Sequence, residues 1–165
     1  MLRLVLLTAA VLLSSNVMSL EVGDKAPQIV GRDISNSLFA LSRMDAKPKV
    51  LNFFWVDCKP CMQEIPLLAK KEQAHPNVEF AVIHAEVNSE TETNYDIGDI
   101  QKFAKILSAH PEKMILGSER LKQQYGIEGF PFSILLSSTN VVEKILYGFS
   151  NKTVQQLEHW LSQQK

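Results

Sequence analysis

Cysteine is scarce in this chain: of 165 residues only two are cysteines, Cys58 and Cys61. A chain of this length with one closely spaced pair is not a small domain held together by many disulfides. With 45% hydrophobic and 21% charged residues, the composition predicts one globular domain with a substantial apolar core.

An excess of charge of either sign is also lacking. The chain has 17 Lys and Arg residues against 18 Asp and Glu residues, which gives a formal net charge of -1. No basic patch indicates nucleic-acid binding, and no acidic tail indicates disorder. The sequence therefore predicts no nucleic-acid partner.

A long apolar run is missing too, even in the first 19 residues. Arg3 provides a positively charged start, residues 4–13 are apolar, and residues 17–19 resemble a cleavage site of small residues. This pattern predicts a secretory signal peptide over 1–19 and one domain over 20–165, in a periplasmic or otherwise exported protein. The alternative is an N-terminal membrane anchor, which needs about 20 apolar residues, whereas polar residues begin at Ser14.

The rest of the chain alternates between strand and helix patterns. Turn residues between short apolar segments predict a β-hairpin within 20–41, and the apolar run 49–55 predicts a buried central strand. Apolar spacing of three and four predicts a helix over 58–74, which Pro66 should kink or break. Further strands are predicted at 77–85, 114–116, 130–136 and 141–147, with helices from Asp99, over 118–125 and from 150 or 151 onward. This order predicts an α/β domain whose mixed sheet carries helices on both faces.

Cys58 and Cys61 stand where the predicted central strand passes into the predicted helix. Cysteines three positions apart in a first helical turn lie close enough for a disulfide. The helix N-terminus and Lys59 favour a Cys58 thiolate, whereas the carboxylate of Asp57 opposes it. We therefore expect Cys58, at the tip, to attack a disulfide and Cys61 to resolve the mixed disulfide.

Glu64 follows Cys61 by three residues and lies on about the same helix face. It is a candidate general acid or base that moves a proton to or from a sulfur. The alternative is an ordinary solvated glutamate on a helix surface. The four histidines show no ligand spacing, so we expect no metal site.

Residues 51–66 (LNFFWVDCKPCMQEIP) contain a C-x-P-C motif followed by an E-x-P motif. This run resembles the thioredoxin-like family, and within it the exported TlpA/ResA-like thiol–disulfide oxidoreductases. Residues 22–27 resemble the N-terminal segment of that group, and residues 125–131 resemble the approach to its cis-proline. The similarity covers residue 20 to the C-terminus and implies the thioredoxin-like fold.

The resemblance also implies roles for individual residues. Pro131 should be cis and stand against the cysteine pair, and the backbone of Phe130 should pair with an incoming peptide. Trp55, Lys59 and Pro60 belong to the same expected substrate-binding surface. Two positions depart from the family's pattern: Asp57 replaces the usual aromatic residue before the first cysteine, and Phe130 is bulkier than the common residue before the proline.

The resemblance strengthens the case for Glu64, which matches a carboxylate that tunes the dithiol in ResA-like members. Ordinary thioredoxins carry a buried Asp six residues before the first cysteine, where this chain has Asn52. Glu64 is therefore the better candidate for the carboxylate of this site.

The sequence thus predicts an exported thiol–disulfide oxidoreductase without a cofactor. It would reduce disulfides of cell-envelope proteins and take its electrons from a membrane-bound thiol reductase. The alternative is a non-catalytic binding or chaperone-like module in which the Cys58–Cys61 disulfide is permanent. Peroxiredoxin chemistry fits less well, because Trp55 stands where a Thr three residues before the peroxidatic cysteine is expected.

Overall fold

The computed structural model describes residues 20–85, 98, 100–102, 114–117 and 119–164. The predicted signal peptide, most of the segment between 86 and 98, and the predicted helix cap at Asp99 lie outside these residues. Within the described ranges no helix is long and apolar enough to cross a membrane.

The described residues form strands and helices in the predicted alternation. The N-terminal part contains β1 (Val30–Asp33), β2 (Leu38–Ala40), a short 3-10 helix (Leu41–Arg43), β3 (Lys49–Phe54) and α1 (Lys59–Ala74). The remainder contains β4 (Glu79–His84), β5 (Met114–Leu116), α2 (Glu119–Tyr125), β6 (Phe132–Leu136), β7 (Val142–Tyr147) and α3 (Asn151–Ser162).

All the described strands join one sheet in the order β2-β1-β5-β4-β3-β6-β7. β4 runs parallel to both β3 and β5, whereas the other neighbouring pairs are antiparallel. The sheet is therefore mixed, and the predicted N-terminal hairpin is present as the β1–β2 pair. β3 lies between two strands and is buried along all six of its residues, which explains its nearly continuous apolar sequence.

Alternate residues of β3 face opposite sides of the sheet, and each side is covered by helix. Leu51 belongs to a core cluster that includes Tyr125 of α2. Val50 belongs to a second cluster with Leu68 of α1 and Trp160 of α3. The prediction of helices on both faces is confirmed.

α1 continues through Pro66 to Ala74, so Pro66 does not break it. A proline inside a helix removes one backbone hydrogen bond and crowds the preceding turn. The neighbouring residues Ile65 and Leu68 are 1% and 2% exposed and pack against the sheet. Burial of this apolar face outweighs the local preference of the proline, because most helix stability in a protein comes from tertiary packing.

Candidate active site

Cys58 and Cys61 lie at the N-terminus of α1 and form a disulfide. Their Cα atoms are 5.2 Å apart. Cys58 is the N-cap residue of the helix, and its sulfur accepts a hydrogen bond from the backbone N–H of Cys61 at 3.1 Å. Cys58 is 5% exposed and Cys61 is fully buried, so solvent meets the pair at Cys58. The predicted placement of the two residues is confirmed.

An apolar cluster surrounds the disulfide. Phe54 at the end of β3 and Ile65 of α1 belong to the same cluster as the two cysteines. Trp55 and Phe130 are half-buried and pack against it from loops that are far apart in the sequence. The fold therefore brings two of the predicted substrate-binding residues to the cysteine pair.

Three further predicted residues flank this cluster. Lys59 and Pro60 occupy the first turn of α1, between the cysteines, and are exposed. Pro131 is buried, its carbonyl accepts a hydrogen bond from the N–H of Gly148 at 2.8 Å, and the Phe130–Pro131 peptide bond is cis. Within the described residues the backbone of Phe130 makes no hydrogen bond of its own.

Glu64 is buried beneath α1 with 5% of its surface exposed, which rules out the alternative of a solvated helix glutamate. Its Oε2 atom accepts a hydrogen bond from the side-chain amide of Asn52 at 2.8 Å. Burial raises the pKa of Glu64 to about 7, and hydrogen bonds from Asn52 and Ser133 limit the rise. A carboxyl group with this pKa exchanges its proton near neutral pH.

The register of the sheet explains how these three polar residues meet. Asn52 of β3 lies directly opposite Ser133 of β6. The Asn52 amide donates to the Ser133 hydroxyl oxygen at 2.8 Å as well as to Glu64. Successive turns of α1 place Cys61, Glu64 and Leu68 along the same side of the sheet. Glu64 is therefore one helical turn from the buried cysteine.

Ser133 was not among the residues predicted for the site, although the sequence holds a sign of it. Ser133 is the polar residue in the otherwise apolar strand β6, and Asn52 is the polar residue of β3 after its first residue, Lys49. A polar side chain in a strand that is buried throughout needs a hydrogen-bond partner. Two such residues in neighbouring strands indicate a polar contact inside the core.

His84 is the other buried titratable group near this cluster. Its ring packs edge-on against Phe54 with 5.4 Å between ring centroids, and burial lowers its pKa to about 4. In the part of the chain that the structure describes, no group of three or more His, Cys, Asp or Glu side chains is placed to hold a metal ion. Because burial lowers its pKa, His84 is neutral near pH 7.

Comparison with known proteins places this architecture in a family. The model of the AhpC/TSA family matches residues 22–145. The chain belongs to the AhpC/TSA family. It is 27% identical to thiol-disulfide oxidoreductase ResA of Bacillus thuringiensis subsp. konkukian (strain 97-27) over 144 residues, which cover 86% of this chain and 78% of the relative. It is 22% identical to thioredoxin-like protein YneN of Bacillus subtilis (strain 168) over 139 residues, with 84% of this chain and 79% of the relative covered.

Solved structures agree on the fold. The crystal structure from Chlorobium tepidum that is assigned as thiol:disulfide interchange protein DsbE has a TM-score of 0.70 and 23% identity, and the match covers 87% of this chain and 97% of that one. The thioredoxin domain of a thiol-disulfide oxidoreductase from Bacteroides vulgatus has a TM-score of 0.68 and 21% identity over 87% of this chain and 99% of that domain. The thioredoxin-like fold is thus confirmed, and the chain is of the thioredoxin-like thiol–disulfide oxidoreductase class.

Proposed function

We propose that this protein reduces disulfides of cell-envelope proteins through the Cys58–Cys61 pair. The observation that carries the proposal is the disulfide at the N-terminus of α1 with the buried carboxyl group of Glu64 one turn behind it. The positive end of the helix and the N–H of Cys61 favour negative charge on the Cys58 sulfur. The similarity to ResA supports the same reaction class.

The proposed reaction begins with the reduced dithiol. The Cys58 thiolate attacks one sulfur of a substrate disulfide, the substrate S–S bond breaks, and the other substrate sulfur leaves and takes up a proton. Cys61 then attacks the Cys58 sulfur of the mixed disulfide and releases the second substrate thiol. Two electrons pass to the substrate, and the protein is left with the disulfide seen in the structure.

Glu64 supplies the proton transfer that the second step requires. Cys61 is fully buried, and only its thiolate is an effective nucleophile. A carboxylate with a pKa of about 7 accepts the Cys61 proton at neutral pH and returns a proton when the disulfide is reduced again.

Substrate docks where Trp55 and Phe130 meet the disulfide. The backbone of Phe130 makes no hydrogen bond within the described residues, so it is available to pair with an extended peptide. Pro131, which follows Phe130, is buried, and Lys59 and Pro60, which follow Cys58, are exposed. Extended segments of protein substrates fit such a surface.

Export and the electron donor complete the proposal. The pattern of residues 1–19 supports secretion, which leaves residues 20–165 as the working domain in an oxidising compartment. A dithiol that must stay reduced there needs a supply of electrons, for which we propose a membrane-bound thiol reductase.

A second candidate function is a binding or chaperone-like module with a permanent disulfide. The low exposure of Cys58, 5%, favours this alternative. The reduction potential of the pair separates the two: a value below about -300 mV, without exchange toward protein disulfides, would establish the permanent disulfide.

The decisive experiment is trapping with Cys61→Ala in the native compartment. Without Cys61 the mixed disulfide at Cys58 cannot be resolved, so substrates should accumulate as covalent adducts that break on reduction. Cys58→Ala is the matched control, because the remaining Cys61 is fully buried and should trap nothing. Absence of adducts with Cys61→Ala would refute the oxidoreductase proposal.

A further inference from the structure

Asn52 contacts both Glu64 and Ser133 from the sheet side. Asn52 is fully buried and Ser133 is 2% exposed. Burying a polar group without a partner costs free energy, and apolar residues at these positions would avoid that cost. The two side chains instead converge on Glu64 and on each other. Their position indicates that they act on the Glu64 carboxyl group.

The donors of these two residues are arranged for a carboxylate. Both hydrogen bonds of the Asn52 amide nitrogen are in use, one to Glu64 and one to the oxygen of Ser133, each at 2.8 Å. Because the Ser133 oxygen accepts from Asn52, its own hydroxyl hydrogen remains available, and Ser133 lowers the pKa of Glu64. The charged form of Glu64 therefore has the Asn52 amide as a neutral donor, with the Ser133 hydroxyl available as a second one.

Among the residues that the structure describes, no charged side chain contributes to the raised pKa of Glu64. On α1 the nearest titratable groups are Cys61 and Cys58, which are joined in the disulfide. On β4 the titratable residues are Glu79, at its start, and His84, whose pKa of about 4 leaves it neutral near pH 7. Asp57, ahead of the helix, is exposed. Burial raises the pKa of Glu64, and its polar neighbours Asn52 and Ser133 limit the rise.

We propose that Asn52 and Ser133 are positioning residues that hold the Glu64 carboxylate behind Cys61 and act on the dithiol through it. This inference rests on the proposed function, because it takes the dithiol as the working group. Ser133 fixes one hydrogen bond, whereas Asn52 fixes another and also orients Ser133. Loss of Asn52 should therefore change the protonation of Glu64 more than loss of Ser133 does.

The test follows the protonation of Glu64 directly. The full protein, labelled with ¹³C at glutamate side chains, is titrated by NMR in the oxidised state, and Glu64→Gln identifies the Glu64 signal. Ser133→Ala should move the midpoint to higher pH by about one unit, since a hydrogen bond that favours the charged form is lost. Ser133→Thr keeps the hydroxyl and should restore the midpoint.

Asn52→Leu should move the Glu64 midpoint to a higher pH than Ser133→Ala does. If the leucine side chain prevents folding, Asn52→Ala is used in its place. Ser137→Ala is the matched control. Ser137 follows β6 and its hydroxyl oxygen accepts hydrogen bonds from the N–H groups of Thr139 and Val141, so its loss weakens the hairpin away from Glu64. The reduced proteins are then compared by the pH profile of Cys58 alkylation, whose step should move with the Glu64 midpoint.

An unchanged Glu64 midpoint in Ser133→Ala or in the Asn52 variants would overturn the inference. An equal shift of the Glu64 midpoint in Ser137→Ala would also overturn it. The same holds if the Glu64 midpoint shifts in the Ser133 and Asn52 variants but the pH profile of Cys58 alkylation does not. These outcomes are distinct from failure of the proposed function: if Cys61→Ala traps adducts, only the positioning roles fall. If it traps none, the function falls whatever the midpoints show.

Discussion

Replacing Glu64 by Gln should make the folded protein more stable at high pH. Burial raises the pKa of this carboxyl group from its ordinary 4.5 to about 7 in the folded protein. Unfolding exposes the group to water, where the pKa returns to its ordinary value. A difference of about 2.5 pH units, at 1.36 kcal/mol for each, corresponds to about 3 kcal/mol of unfolding free energy.

The sign follows from proton binding. Below pH 4.5 the carboxyl is protonated in both states, so the native protein and Glu64→Gln should differ little. As the pH rises from 4.5 to about 7, the folded state binds more protons than the unfolded state, and the native protein loses stability. Above this window the loss is complete. Gln does not ionise, so the variant keeps the stability that the native protein loses.

Urea unfolding of the oxidised proteins at two pH values measures this difference in unfolding free energy. The first, pH 4.5, is the ordinary pKa of the carboxyl, and the second, pH 8, is about one unit above its raised pKa of about 7. Glu21→Gln, at an exposed position, is the control and should give the same difference from the native protein at both pH values. If the advantage of Glu64→Gln is equally small at pH 8, the Glu64 carboxylate is not desolvated and its proposed chemistry near neutral pH is lost with it.

Two further predictions concern the dithiol and the sheet. In the reduced protein, Glu64→Gln should remove the step near pH 7 from the pH profile of Cys58 alkylation, because no carboxylate exchanges a proton with the thiols; an identical profile would make Glu64 a bystander. Gly117→Ala should lower the free energy of unfolding by roughly 1–3 kcal/mol, since a Cβ atom there would crowd the carbonyl oxygen of His84. Urea unfolding measures this loss against Gly129→Ala, whose Cβ would meet nothing within 4 Å; equal stability of the two variants would contradict it.

The strands and helices were predictable because local patterns and tertiary packing agree. β3 is buried on both faces, so its sequence is apolar almost throughout. The apolar spacing of α1 matches the residues that face the sheet, among them Cys61, Ile65 and Leu68. Pro66 is the exception, because its local preference opposes the helix and packing prevails.

The polar contacts of the site were less accessible to sequence reasoning. Glu64 was correctly placed on the face of Cys61, yet its burial depends on how closely α1 lies against β3 and β6. Ser133 contacts Asn52 across 81 positions of sequence, and only the register of two strands brings them together. A strand register shifted by one residue would turn both side chains to the opposite face.

Desolvation of Glu64 underlies both the loss of stability at neutral pH and the proposed proton transfer. Along β3, Asn52 lies between Phe54 of the apolar cluster around the disulfide and Val50 of a second apolar cluster, which also contains Leu68. Desolvation among these residues disfavours the Glu64 carboxylate and so lowers the stability of the fold at neutral pH. In the proposed mechanism, the same desolvation makes the carboxylate a base strong enough to take a proton from a neighbouring thiol. An apolar residue at this position would remove the cost and the base together, so the proposed proton transfer explains the buried carboxyl group better than packing does.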